Sequence, residues 1–150
     1  VFLNNAAAVT GGAITSFGGS ELILENVTVM GNDALFGRDV NLSETVVRNS
    51  ILWSESEGGV QVWNSPEVSH SIIQGGHAGV GNLDLDPGLA ADGFHLLPGS
   101  PAIDAGAALR DLGALDVDGQ PRLLGTRVDI GADEFARFAL DQQLVGAAAK

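Results

Sequence analysis

Cysteine and tyrosine are absent from this 150-residue chain, and methionine occurs once. Without thiols there are neither disulfides nor thiolate metal sites. That absence leaves the compartment open, because many bacterial surface proteins avoid Cys. Cationic residues are scarce too: Lys and Arg number 7 against 19 Asp and Glu, for a net charge of −12. A surface this negative repels phosphate backbones and anionic lipid, so nucleic acid is not an expected partner. No apolar run approaches the ~18 residues of a spanning helix, and membrane insertion is not expected either. The chain opens Val1-Phe2-Leu3-Asn4-Asn5, with neither initiator Met nor signal peptide. It is therefore expected to be a piece of a longer protein.

What is present points to strands. The chain is 45% hydrophobic and has 21 Gly, a combination unsuited to long helices because Gly costs about 1 kcal/mol in a helix interior. Three segments align as a repeat: Leu22 to Val29, Thr45 to Leu52 and Glu67 to Ile73, with a weaker copy at Phe2-Leu3-Asn4-Asn5. Asn5, Asn26, Asn49 and His70 mark a common position at intervals of 21, 23 and 21 residues. A second series runs Gly11-Gly12-Ala13-Ile14, Gly37-Arg38-Asp39-Val40 and Gly58-Gly59-Val60-Gln61-Val62. Each period of about 22 residues thus holds two short β-branched runs and a Gly-rich bend. One such coil cannot close a core, but stacked coils bury a continuous column. The fold expected is all-β, a right-handed parallel β-helix of about 3–4 coils of ~22 residues each over 1–82. Asn5, Asn26, Asn49 and His70 are expected to form its corner ladder, meeting the rule that buried polar groups find partners. A leucine-rich repeat has a similar period, but its Leu-x-x-Leu-x-Leu pattern is missing.

After Asn82 the text changes. Asp86-Pro87-Gly88-Leu89, Asp92-Gly93-Phe94-His95-Leu96 and Gly99-Ser100-Pro101-Ala102-Ile103-Asp104-Ala105-Gly106 come first. Asp116-Val117-Asp118-Gly119-Gln120-Pro121-Arg122 and Asp129-Ile130-Gly131-Ala132-Asp133-Glu134-Phe135 follow. In this order they resemble the end of bacterial extracellular β-helix proteins of the pectate-lyase-like class, the group called choice-of-anchor Q domain proteins. The resemblance covers roughly residues 1–135 and implies an extracellular or bacterial cell-surface location. Its members mostly lack an assigned activity. Physically, 83–135 reads as an irregular cap: a solenoid end exposes its column and a strand edge, which need cover. Pro87, Pro98, Pro101 and Pro121 forbid regular central strands there. Phe94, Leu96, Leu97, Ile103, Leu123, Leu124, Val128 and Ile130 are the candidates to fill the opening. Residues 136–150 read as a short helix or linker tail.

Candidate chemistry is thin. A polysaccharide lyase of this class would imply acidic Ca²⁺ ligands and a basic proton acceptor. Between residues 1 and 109 only Arg38 and Arg48 are cationic, against twelve acids. Paired carboxylates, Glu55 with Glu57 and Asp84 with Asp86, can share a strand face, but glycoside hydrolysis also needs one carboxyl raised by burial. Asp116 and Asp118 are the candidate ligands of a structural Ca²⁺, with Asp129, Asp133 and Glu134 as further oxygens. The EF-hand pattern fails at its ends, where Ala114 and Gly125 stand, and a hydrogen-bonded turn competes. No other cofactor is expected. His70, His77 and His95 are too scattered in sequence to suggest a metal set. In Val60-Gln61-Val62-Trp63 the period of two puts the valines on one face and Gln61 and Trp63 on the other. Trp63 and Gln61, with Trp53 of the same coil, are the candidate ligand-binding residues, as an aromatic stacking platform for a sugar ring.

The function expected is a non-catalytic extracellular scaffold, adhesion or carbohydrate-binding module, with polysaccharide or another protein as partner. The competing reading is the terminal part of a polysaccharide lyase or glycoside hydrolase whose active groove lies upstream. Self-association through an open N-terminal coil is also expected, since its strand edge is uncovered.

Overall fold

A computed structural model describes residues 1–17, 19, 22–54, 59–63, 67–108 and 113–136. Its strands are β1 (Phe2–Leu3), β2 (Ile14–Thr15), β3 (Leu22–Glu25), β4 (Thr28–Met30), β5 (Val40–Ser43), β6 (Thr45–Arg48), β7 (Ile51–Leu52), β8 (Val60–Trp63), β9 (Val68–Ser69) and β10 (Ile72–Ile73). They form three sheets of orders β1-β4-β7-β10, β2-β5-β8 and β3-β6-β9, with every strand pair parallel. The protein is all-β, and among the described residues there is no helix. Three sheets of stacked parallel strands are what a β-helical solenoid requires. Residues 137–150, where a helix or linker was expected, lie outside the described residues.

The corners explain why the strands stay short. Asn26, Asn49 and His70 have φ of 52°, 46° and 45° and separate β3 from β4, β6 from β7 and β9 from β10. Such left-handed backbone is costly for most side chains, and Asn and His are among those enriched there. The register Glu25↔Arg48↔Ser69 stacks these three corners one above another. The Gly-rich series stacks likewise, with Ile14, Val40 and Val60 in register.

Alternation then sorts the side chains. Leu24, Val47 and Val68 from one sheet, Val40 and Leu42 from another, and Val29, Leu52 and Ile73 from the third meet in one buried column. The β1-β4-β7-β10 sheet is buried on its other face too. There Ile51 and Ile72 are fully buried against Leu96, Ala102 and Ile130, with Trp53, Leu83, Leu89, Ile103, Ala105 and Phe135 packed around them. The segment after Asn82 therefore lies across the flank of this sheet. Backbone N–H groups fix it there: Gly131 donates to Asn49 O (2.8 Å) and Ala132 to Thr28 Oγ1 (3.0 Å). Gly131 is needed at this crossing. At φ 111° its missing Cβ would stand 2.8 Å from Ile51 Cδ1 and 3.0 Å from Thr28 Oγ1. Leu96, Val128 and Ile130 are buried, whereas Leu97, Leu123 and Leu124 remain exposed.

The edge of β9 and β10 is covered by the chain itself. His70 N–H donates to Val80 O (2.8 Å), and Leu83 exchanges bonds with Ser71 O and Ile73 N–H (both 2.9 Å). The outer edge of β8 has no partner strand among the described residues. No helix of the described residues is long and apolar enough to cross a membrane.

Candidate functional site

Strand β8 places Val60 and Val62 against the buried column and turns Gln61 and Trp63 outward. Trp63 is 56% exposed, high for so large an apolar side chain. Beside it lies a cleft of about 310 Å³ lined by β8, Ile73, Gln74, Gly75, Gly76 and His77. Gln74 is steadied by its own donation to Ser54 O (2.8 Å). None of the described lining residues carries a carboxylate or a Lys or Arg side chain. Trp53 does not share this face. It follows β7 and packs on the outer cluster with Ile51 and Leu96.

Of the ladder residues, Asn26, Asn49 and His70 share a corner, whereas Asn5 occupies a different one. The register Phe2↔Val29 and Leu3↔Met30 sets Asn5 over Asn32, and both its N–H groups donate to Asn32 Oδ1 at 2.9 Å. Asn49 is fully buried and clasps Ala107 in both directions, donating from Nδ2 to its carbonyl and accepting its N–H, each at 2.8 Å. Bonding along the corner falls instead to the next residue. Val27 N–H donates to Ser50 Oγ (3.2 Å), Ser50 N–H to Ser71 Oγ (3.1 Å) and Ser71 N–H to Asn82 Oδ1 (3.1 Å). The Ser after Asn49 and after His70 was the available signal for this series.

The acids of the final segment mostly bind backbone N–H groups. Asp116 Oδ1 accepts Asp118 and Gln120 N–H (3.0 and 2.7 Å), and its Oδ2 accepts Glu134 N–H (3.1 Å). Asp118 instead reaches His95, whose Nε2 lies 2.8 Å from Asp118 Oδ2 while Nδ1 lies 2.6 Å from Asp92 Oδ2. The bond to Asp92 is the main reason His95 is raised to about 9, with Asp118 adding to it against some desolvation. Phe94 lies against the imidazole, ring centroids 4.1 Å apart. Buried Asp133 accepts Leu96 N–H on Oδ2 (2.8 Å), and burial pushes its carboxyl up. Glu134, 1% exposed, accepts Asp129 N–H. Burial and then the charge of Asp129 raise it to about 8, against the pull of Arg122 at 3.6 Å. Burial raises Asp129 as well, although it accepts Asp104 N–H (2.6 Å) and Phe135 N–H (2.7 Å). Sequence reading missed the joining of His95 to Asp92, Asp118 and Asp133, because 23 and 37 residues separate His95 from Asp118 and Leu96 from Asp133.

The lyase and hydrolase candidates are otherwise engaged. Arg38 pairs with Asp33 (2.8 Å), and Arg48 with Glu25 (2.8 Å) and Glu67 (2.6 Å). The hydrogen bond to Glu67 leads those that raise Arg48, and Glu67 is lowered in return. Asp84 accepts Gly75 N–H (3.0 Å) and Asp86 accepts Gly88 N–H (2.8 Å), both as exposed turn acceptors. Glu55 and Glu57 lie outside the described residues. Comparison with protein-family models, with characterised proteins and with solved structures finds no match.

Proposed function

We propose that this chain is the end of a right-handed parallel β-helix of 3–4 coils, with residues 83–135 laid across the flank of one sheet, and acts as a non-catalytic extracellular binding scaffold. Its ligand face is the cleft between β8 and the turn after β10, where Trp63, Gln61, Gln74 and His77 stand beside the apolar Val60, Val62 and Ile73. The observation that carries this reading is the exposure of Trp63 beside a cleft whose described lining has no Lys, Arg or carboxylate. Such a surface suits the apolar face of a neutral sugar ring stacked on indole, with amide groups for the hydroxyls. Arg38 and Arg48, the cations of the coils, are tied into ion pairs, which leaves a polyuronate little to bind on the coils. Strands β1, β2 and β3 form the opposite edge of the three sheets. There a further coil or a second copy of the chain pairs by backbone hydrogen bonds.

Titration calorimetry against neutral oligosaccharides tests the ligand face. Saturable binding is expected, weakened at least tenfold in Trp63→Ala. Binding indifferent to Trp63→Ala would remove β8 as the site. New reducing or unsaturated ends in the same incubations would make the chain part of an enzyme.

A further inference from the structure

The final segment brings together a donor set that includes nitrogen. His95 Nε2 and one carboxylate oxygen each of Asp118 and Asp133 lie within 4.8 Å of one another. The three come from separate stretches of chain, so the fold alone makes them converge. On the far side of the ring, Nδ1 is held by Asp92 Oδ2 at 2.6 Å. Asp92 is itself oriented, accepting Phe94 and His95 N–H on Oδ1 at 3.1 Å each. Here Nε2 faces Asp118 with Asp133 close by, and a carboxylate that fixes the other imidazole nitrogen is the usual outer support of a metal-bound His.

We infer that His95, Asp118 and Asp133 form a binding site for a divalent transition metal of the zinc type, with Asp92 orienting the imidazole. The donors select the metal class. Calcium and magnesium take oxygen ligands, whereas imidazole suits zinc and its neighbours, which also accept carboxylates. All three separations lie within 4.8 Å, and the pair of His95 and Asp118 is close to what a metal needs. Tetrahedral ligands with bonds of about 2.0–2.1 Å stand about 3.4 Å apart. His95 Nε2 and Asp118 Oδ2, now at 2.8 Å, need separate by only about half an ångström. Asp133 is the buried ligand, anchored by Leu96 N–H, while Asp118 is exposed and leaves a solvent side for water as fourth ligand. Binding displaces a proton from Nε2 and leaves Nδ1–H donating to Asp92. In a chain without Cys, the metal would cross-link segments 92–95, 116–118 and 133, as a disulfide does elsewhere.

The experiment is titration of chelator-treated protein with Zn²⁺ by calorimetry, with Co²⁺ as a spectroscopic probe. One Zn²⁺ should bind at micromolar Kd or tighter, with proton release, and Co²⁺ should develop ligand-field absorption. His95→Gln should weaken Zn²⁺ at least 100-fold and Asp92→Asn by 10- to 100-fold. Asp118→Asn, a change at an exposed position, gives a variant whose fold is easily preserved, and it should lose the cobalt spectrum. Zn²⁺ binding weaker than millimolar, or unchanged in folded Asp118→Asn, would overturn the site. Ca²⁺ binding indifferent to His95→Gln would also overturn it, in favour of oxygen ligands around Asp116.

Discussion

The stacked strands and the segment beyond Asn82 satisfy the same backbone by opposite means. Among the coils, N–H and C=O groups meet across parallel registers such as Leu22↔Thr45 through Glu25↔Arg48, and side chains are left to fill the column. Beyond Asn82 ladder partners give way to carboxylates: Asp86, Asp92, Asp104, Asp116, Asp129, Asp133 and Glu134 all accept backbone N–H groups. Part of the acidic excess is therefore structural, serving as acceptors within the fold. A repeat can rely on neighbouring coils for hydrogen bonds; a one-off segment has to carry its acceptors in its side chains.

The largest expected effects come where the two regions join. Asn49 and Asn26 occupy the same corner, but only Asn49 also holds Ala107. Asn49→Ala strands two amide groups and forces Ala into left-handed backbone, and should cost about 3 kcal/mol. In Asn26→Ala only the backbone term applies, about 1 kcal/mol. Denaturant melts of both variants measure the difference, and equal losses would mean that the clasp adds nothing. Leu96→Ala, in the outer cluster, should also cost about 3 kcal/mol, and Leu97→Ala, exposed, under about 0.5. Gly131→Ala comes next, at about 2 kcal/mol, from left-handed strain and from crowding Ile51 and Thr28. Its loss should fall when Ile51 is shortened to Val, and identical costs in both backgrounds would refute the close approach.

This division also marks how far the sequence was legible. The coils announce themselves because repetition samples each position several times: Asn26, Asn49 and His70 recur, and the β-branched runs recur with them. Asn5 was misaligned because β1 has only two paired residues to fix its register, and these set it over Asn32. In Val60 to Trp63 the two valines pack on the column and Trp63 is exposed, while Gln61 is half-buried like the valines. Nothing local in the final segment tells Leu96 from Leu97, nor shows that His95 meets Asp118 and Asp133. Those choices depend on contacts 23 to 37 residues away and on the outer face of a sheet. Trp53 shares a coil with Trp63 in the sequence, yet it follows β7 and packs on the outer cluster, while Trp63 ends β8.

A pH series separates the regions further. Burial raises Glu134 from 4.5 to about 8, so the folded chain binds that proton more tightly than the unfolded chain does. The resulting stability is complete below pH 4.5 and is lost as pH rises through about 8. His95, raised from 6.5 to about 9, contributes fully below 6.5 and loses its share as pH rises through 9. Asp92 and Glu67 are lowered, so their contributions hold above 3.8 and 4.5 and fail only in acid. Chelator-treated protein should therefore melt at a lower temperature at pH 9 than at pH 6. Glu134→Gln should flatten the part of that slope below pH 8. A melting temperature that rises between pH 6 and pH 9 would show that Glu134 is not held protonated.

The smallest expected effect on stability is at Trp63. Its indole lies outside the buried column and is more than half exposed, so Trp63→Ala removes little buried apolar area. A change well below that of Leu96→Ala is expected. The contrast with Leu96→Ala is what gives the measurement force. A side chain kept for packing costs stability when truncated, whereas one kept for a ligand costs affinity and leaves the melt unchanged. If Trp63→Ala melted as early as Leu96→Ala, the indole would belong to the fold, and the cleft beside β8 would lose its reason to bind a sugar.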